Sequence, residues 1–238
     1  MARHLLIRLS SPLIAFGGET IDNFGVIRDF PALSMITGLI ANALGWDRAD
    51  DEAHNLLQAR LRMGTRIEAQ GSLLTDFQTA QLGARDRGWT TSGAPEVRNS
   101  SPESLDGPHL RYRDYHADLT ALVAMRLEPI DGAPTLDNVA TALDRPKRPL
   151  FIGRKPCLPT ARLFAGWCEA DTVLEALEQV PFPAGSESPK AQWPDGEGQL
   201  AGDRMLDLCD ERNWTTGVHG GWRPVREGVL KARRGNDE

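Results

Sequence analysis

The densest run of chemically useful side chains lies between Arg145 and Arg162. The segment RPKRPLFIGRKPCLPTAR carries six basic residues, four prolines and no acid. Within it, Pro149 to Ile152 reads as a strand that stops at Gly153 and then presents Arg154 and Lys155. Glycine allows close backbone approach and the adjacent cations supply charge, which suits gripping a phosphate. A solvated basic loop after a strand has the same composition. A second anion-binding geometry comes from Phe30 to Gly45. Ser34 reads as an N-cap, Met35, Ile36, Leu39, Ile40, Ala43 and Leu44 form a stripe at helical spacing, and Gly45 reads as the stop. Gly38 inside the stripe points to close packing on a sheet. The free N–H groups at such a helix start suit a phosphate and are expected to face the Gly17–Gly18 turn. A core helix with a capped end is the plainer reading of the same residues.

Whole-chain properties bound what these residues can serve. The chain has 238 residues, 40% hydrophobic and 25% charged, the composition of a globular protein with a substantial core. The net charge is −6, but it is uneven: Cys168 to Glu211 holds eleven acidic and two basic residues. The remainder is then slightly positive, as expected of an acidic lobe beside a basic working surface, or of an ordinary acidic protein. Cys157, Cys168 and Cys209 show no paired or metal-like spacing, and their odd number favours a reduced, cytoplasmic setting. No HExxH or carboxylate cluster signals a metal, and Gly17-Gly18 lacks the GK[ST] of a nucleotide-binding loop, so neither metal nor cofactor is expected. No apolar run is long enough to span a bilayer, and no membrane partner is expected.

The elements that must position the basic segment follow in order. His4 to Leu9 reads as a core strand, and Leu13 to Gly18 leads into a polar loop ending at Arg28. The helix from Ser34 follows, then a short polar helix from Asp50 to Leu61, a strand from Arg62 to Ala69 and another beginning at Leu73-Leu74. Gln81 to His109 dissolves into Gly, Ser, Pro, Arg and Asp. Such a stretch reads as a mobile insertion or as an extended arm offering Arg85, Arg87, Arg98 and Arg111 to a polyanion. Leu119 to Leu127 is a buried strand, Thr135 to Leu143 and Thr172 to Val180 are helices, and Pro181 to Gly202 reads as a linker or loop. Met205 to Leu208 and Trp214 to Trp222 are expected strands, before a basic end. The first part matches a βαββαβ, ferredoxin-like α+β plan, a frequent platform for single-stranded RNA. The paired aromatics of an RNA-recognition motif are missing from its central strands, so contact is expected through glycine loops and cations.

Three motifs carry a resemblance. Leu6-Ile-Arg-Leu-Ser-Ser-Pro-Leu-Ile-Ala-Phe-Gly17 is like L-x-L-x-G-P-x-Q-A-W-G. Phe30-Pro-Ala-Leu-Ser-Met-Ile-Thr-Gly-Leu-Ile-Ala-Asn-Ala-Leu-Gly45 is like F-P-T-K-S-G-x-x-G-L-L-A-A-A-L-G. Arg148-Pro-Leu-Phe-Ile-Gly-Arg-Lys-Pro-Cys157 is like P-x-Y-L-G-R-R-S-C. In this order and spacing the chain resembles the fifth family of CRISPR-associated proteins, within the RAMP superfamily, in its CasD branch from the type I-E effector complex, Cascade. The resemblance runs from the first residue to about Gly166. It implies a ferredoxin-like domain over residues 1–166, with a protruding thumb hairpin at about 76–113, and a smaller β-rich C-terminal extension over 167–238, acidic then basic. It also implies a non-catalytic subunit of an antiviral ribonucleoprotein that binds the 5′ handle of the CRISPR RNA and caps the backbone filament. Its partners would be CRISPR RNA, the backbone and large subunits, and target DNA through the assembled complex. Gly17, Arg28, Ser34, Gly153, Arg154 and Lys155 become the expected handle contacts, with Arg85, Arg111 and Tyr115 as further RNA-binding residues.

The departures fall at the same sites. Leu33 and Met35 replace the usual Lys and Gly, Ser11 and Phe16 replace Gly and Trp, and Phe77-Gln78-Thr79 stands where relatives often have Tyr-His-Thr. A relative in another CRISPR subtype cleaves precursor RNA without a metal, which needs a base near neutral pKa and a donor for the leaving oxygen. Tyr115 and His116, with Lys147 or Lys155, are the residues for that alternative, a processing endoribonuclease. Gln78, at the more plausible histidine position, cannot shuttle a proton.

Overall fold

The computed structural model describes residues 1–81, 88–89, 95–96, 108–183 and 188–231. In chain order the first strands are β1 (Ala2–Ser10), β2 (Leu13–Ile14), β3 (Gly17–Ile21) and β4 (Phe24–Ile27). Helices α1 (Leu33–Leu44) and α2 (Asp51–Arg60) lead to β5 (Leu61–Ala69), β6 (Ser72–Ala80), the short pair β7 (Gly88–Trp89) and β8 (Pro95–Glu96), β9 (His109–Ala117) and β10 (Thr120–Leu127). Then come α3 (Leu136–Asp144), β11 (Phe164–Ala170), α4 (Val173–Gln179), β12 (Lys190–Pro194), β13 (Arg204–Leu208) and β14 (Arg223–Val229).

The fold is mixed α+β and dominated by sheet. Seven strands lie in the order β11-β1-β10-β5-β12-β14-β13, with antiparallel neighbours. The continuous apolar runs in β1 and β10 have a direct cause: both faces of the sheet are covered. Leu5, Ile7, Leu9, Ala121, Val123 and Met125 meet α1 and α3 in one core. Leu6, Leu122 and Ala124 meet α4, Trp193 and Leu230 in a second core on the other face. Gly45 ends α1 in the left-handed conformation, φ 80°, as its position after the stripe predicts. Thr135 and Thr172 cap α3 and α4 with their side chains.

The second sheet positions the basic segment. β9 pairs along its length with β6 on one side, and with β2 and β4 on the other. β3 and β4 form a hairpin, so the expected polar loop before Arg28 is ordered strand.

Several local expectations are corrected. Pro149 to Ile152 is not a strand: Ile152 N–H donates to Cys157 O, Ala15 N–H donates to Ile152 O, and the segment is a loop anchored against residue 15. The strand in that part of the chain is β11, whose mixed sequence FAGWCEA hid it. The Pro181–Gly202 stretch contains β12, which pairs with β5 and carries the C-terminal strands into the main sheet. Trp214 to Trp222 holds turns instead of a strand; the side chain of the preceding Asn213 accepts from the Thr215 and Thr216 N–H groups. Gly38 packs against the Trp214 ring, 3.3 Å from where a Cβ would stand, and not on a sheet.

Candidate nucleic-acid interface

Two loops meet where β2, β4 and β9 come together. Gly153 has φ 86°, and a Cβ there would stand 1.7 Å from Ala15 O. No other residue fits this approach. It brings the Gly153–Lys155 loop against the Ala15-Phe16 link between β2 and β3, and Phe16 O accepts from Arg28 N–H at 2.7 Å. Arg154 fastens the junction. It donates to Asp114 O and to Gly25 O, each at 2.8 Å, and its guanidinium lies 4.8 Å from the Tyr115 ring centroid. Lys155, next in sequence, is exposed, and Gly17 is exposed on the adjoining β3. Cys157 closes the loop from below, buried; desolvation pushes its thiol pKa up, which makes it a packing residue rather than a nucleophile.

The structure therefore brings Gly17, Gly153, Arg154 and Lys155 together, with the Arg28 backbone beside them. Other expected site residues lie elsewhere or are covered. Ser34 is corrected most clearly. It is the second residue of α1 and buried, and the helix start is occupied by an anion from the chain itself. Asp210 Oδ2 accepts from Leu33 N–H at 3.0 Å, and Asp210 O accepts from Ser34 N–H at 3.1 Å. Arg223 grips the same carboxylate through two hydrogen bonds of 2.8 and 2.7 Å, and Asp210 is only 1% exposed. The Arg28 guanidinium turns the same way, donating to Cys209 O at 3.0 Å. Tyr115 is buried beneath Arg154, so it supports the site and does not face it. Arg111 lies on β9 and donates to Asn23 Oδ1 at 2.6 Å. Arg85 lies outside the described residues.

His116, the base of the endoribonuclease alternative, is buried. Its Nε2 lies 2.9 Å from Arg28 O, and its ring packs 5.6 Å from that of Phe16. A carbonyl can only accept, so the bond fixes the tautomer with hydrogen on Nε2, turned inward. Among the described residues no group of three or more His, Cys, Asp or Glu side chains is arranged to hold a metal.

Sequence reasoning missed an aromatic cluster on the second sheet. Phe24 of β4 stacks on Tyr112 of β9, with centroids 5.0 Å apart and planes 12° from parallel, and Phe77 of β6 lies 5.3 Å from Tyr112 on its other side. Phe24 and Phe77 are each more than half exposed. The three residues are far apart in sequence; only the pairings Phe24↔Tyr112 and Phe77↔Tyr112 join them.

The family model described as CRISPR-associated protein (Cas_Cas5) matches residues 4–226. The chain belongs to this Cas5 family. It is 26% identical over 178 residues to the CRISPR system Cascade subunit CasD of Escherichia coli (strain K12), covering 74% of this chain and 76% of that protein. Its fold matches a chain of a CRISPR RNA-guided surveillance complex with a TM-score of 0.70 at 23% identity, over 96% of this chain and 90% of that one. A crystal structure of a Cas protein matches with a TM-score of 0.61 at 26% identity, over 97% and 96%. The family match extends beyond Gly166 into β14, further than the three motifs reach.

Proposed function

We propose that this chain is the non-catalytic subunit of a Cascade-type ribonucleoprotein that holds the 5′ handle of the CRISPR RNA and caps the backbone filament. The observation that carries the reading is the junction of the Gly153 loop with the start of β3 at Gly17, with an exposed Lys155 at its edge. Bare backbone and free charge at one spot suit a bent phosphodiester chain. Family membership and the CasD relative support the same assignment.

The order β11-β1-β10-β5, with α1 between β1 and β5 and α3 between β10 and β11, supports reading this half as the ferredoxin-like domain. On this reading β6 and β9 are the base of the thumb. Every residue of β6 except Asp76 is exposed, including Leu73, Leu74 and Phe77, as expected of a strand pair that is covered by a neighbouring subunit. The large subunit and target DNA would be met through the assembled complex, in the cytoplasm. Among the described residues no helix is long and apolar enough to cross a membrane. The buried, inward-bonded His116 weighs against the endoribonuclease reading.

Co-expression with the other complex subunits and a repeat-containing RNA tests the proposal. Complex carrying Lys155→Ala should release RNA at lower salt than wild type, and its RNA should lose protection at the 5′ end. Specific cleavage of precursor RNA by the isolated chain in EDTA, lost in His116→Ala, would replace the proposal with the nuclease reading.

A further inference from the structure

Arg48 and Arg212 meet away from the Gly153 junction. Arg48 follows the C-terminal end of α1, and Arg212 lies in a segment that packs on Gly38 of α1 and Asn55 and Gln58 of α2. Gln58 of α2 fixes the Arg212 backbone from both sides, accepting from its N–H at 3.2 Å and donating to its carbonyl at 3.0 Å. The Arg212 guanidinium lies 5.2 Å from the Trp214 ring centroid. Both guanidinium groups reach one spot: the position a Gly217 Cβ would take is 3.2 Å from Arg212 Nη2 and 3.9 Å from Arg48 Nη2. The two nitrogens are thus no more than about 7 Å apart. Among the described residues neither group has a carboxylate partner, and Arg212 Nε is buried without a hydrogen-bond partner. Asp51 is engaged with the Thr215 hydroxyl, and the Glu211 carboxylate lies beside Gly221. Burial and the nearby Arg48 charge both lower the Arg212 pKa, so a positive charge is disfavoured there until something offsets it.

We propose that Arg48 and Arg212 form a second anion site, which takes a phosphodiester group of a nucleic-acid backbone. A tetrahedral oxyanion presents acceptors in several directions, so it can receive two guanidiniums arriving from different elements. Gly217 carries no side chain that would close the approach. The choice of a phosphodiester over a partner's carboxylate rests on reading the chain as a subunit of an RNA-guided complex. Guide RNA and target DNA share the chemistry, and the experiment separates them.

The test uses the assembled complex carrying Arg48→Ala, and separately Arg212→Ala. Guide-RNA retention and binding of labelled duplex DNA are each followed through a salt titration. Arg48 is exposed and ends no helix, so its variant should melt like wild type even if the Arg212 variant does not fold. The expected result is a loss on the order of fivefold in one of the two affinities for Arg48→Ala, with a salt slope shallower by about one. The affected arm identifies the nucleic acid. Wild-type affinity and slope in both arms overturn the site. The Lys155→Ala complex, measured in parallel, reports on the Gly153 junction alone, so either proposal can fail while the other stands.

Discussion

At the start of α1, the Leu33 and Ser34 N–H groups point at Asp210; at the Gly153 loop, Lys155 faces solvent. The sequence offers both places as phosphate sites, and the chain has filled one of them. The same device recurs at α4, where Glu197 Oε2 accepts from Val173 N–H at 2.9 Å while Arg126 grips its two oxygens, each at 2.6 Å. Asp210 and Glu197 both come from the acid-rich 168–211 segment. Part of that acidity is thus an internal counter-charge: a carboxylate at a helix start, held by an arginine from a strand. A helix N-terminus marks a ligand site only when no side chain of the same protein occupies it.

The largest expected effect breaks the filled site. Asp210→Ala leaves Arg223 without its carboxylate and the α1 start uncapped, and should destabilise the fold by about 3–5 kcal/mol. A denaturant titration checks this, and a loss below about 1 kcal/mol would remove Asp210 from its role. Next, Gly153→Ala forces a Cβ into Ala15 O at positive φ. It should destabilise by at least about 1–3 kcal/mol and weaken RNA retention as well, coupling two readouts that Asp210→Ala should separate.

Glu197→Gln sharpens the comparison through pH. Burial alone would raise the Glu197 pKa, but hydrogen bonds from Arg126 and Val173 N–H outweigh it and hold the carboxyl below its ordinary value. A depressed folded-state pKa contributes stability above the unfolded value, and that contribution is lost as pH falls through the folded one. Glu197→Gln should therefore cost roughly 2 kcal/mol near neutral pH and flatten the acid limb of the stability profile, as measured by melts across pH. The smallest effect on stability belongs to Lys155→Ala: within about 0.5 kcal/mol of wild type, with a salt slope for RNA release shallower by about one.

What the sequence made legible follows from local rules. The α1 stripe and its Gly45 stop, the helices α3 and α4, and the apolar runs of β1 and β10 are set by neighbours within a few residues. Gly153 and Lys155 were legible because glycine and charge lay side by side. The rest depended on distant partners. Nothing near Ser34 signals that a carboxylate 176 positions later will occupy its helix start. Phe24, Phe77 and Tyr112 look unrelated until β4, β6 and β9 align them. Strand β12 was obscured by its surrounding Pro, Gly and Ser, although Trp193 within it is a buried anchor of the second core.

On the proposed function, RNA meets the open junction and not the filled helix start. Mapping 5′-end protection of RNA in assembled complexes carrying Lys155→Ala or Ser34→Ala tests it most directly. Protection should be lost with Lys155→Ala and kept with Ser34→Ala; loss with Ser34→Ala in a stably folded complex that leaves Lys155→Ala protected would contradict it.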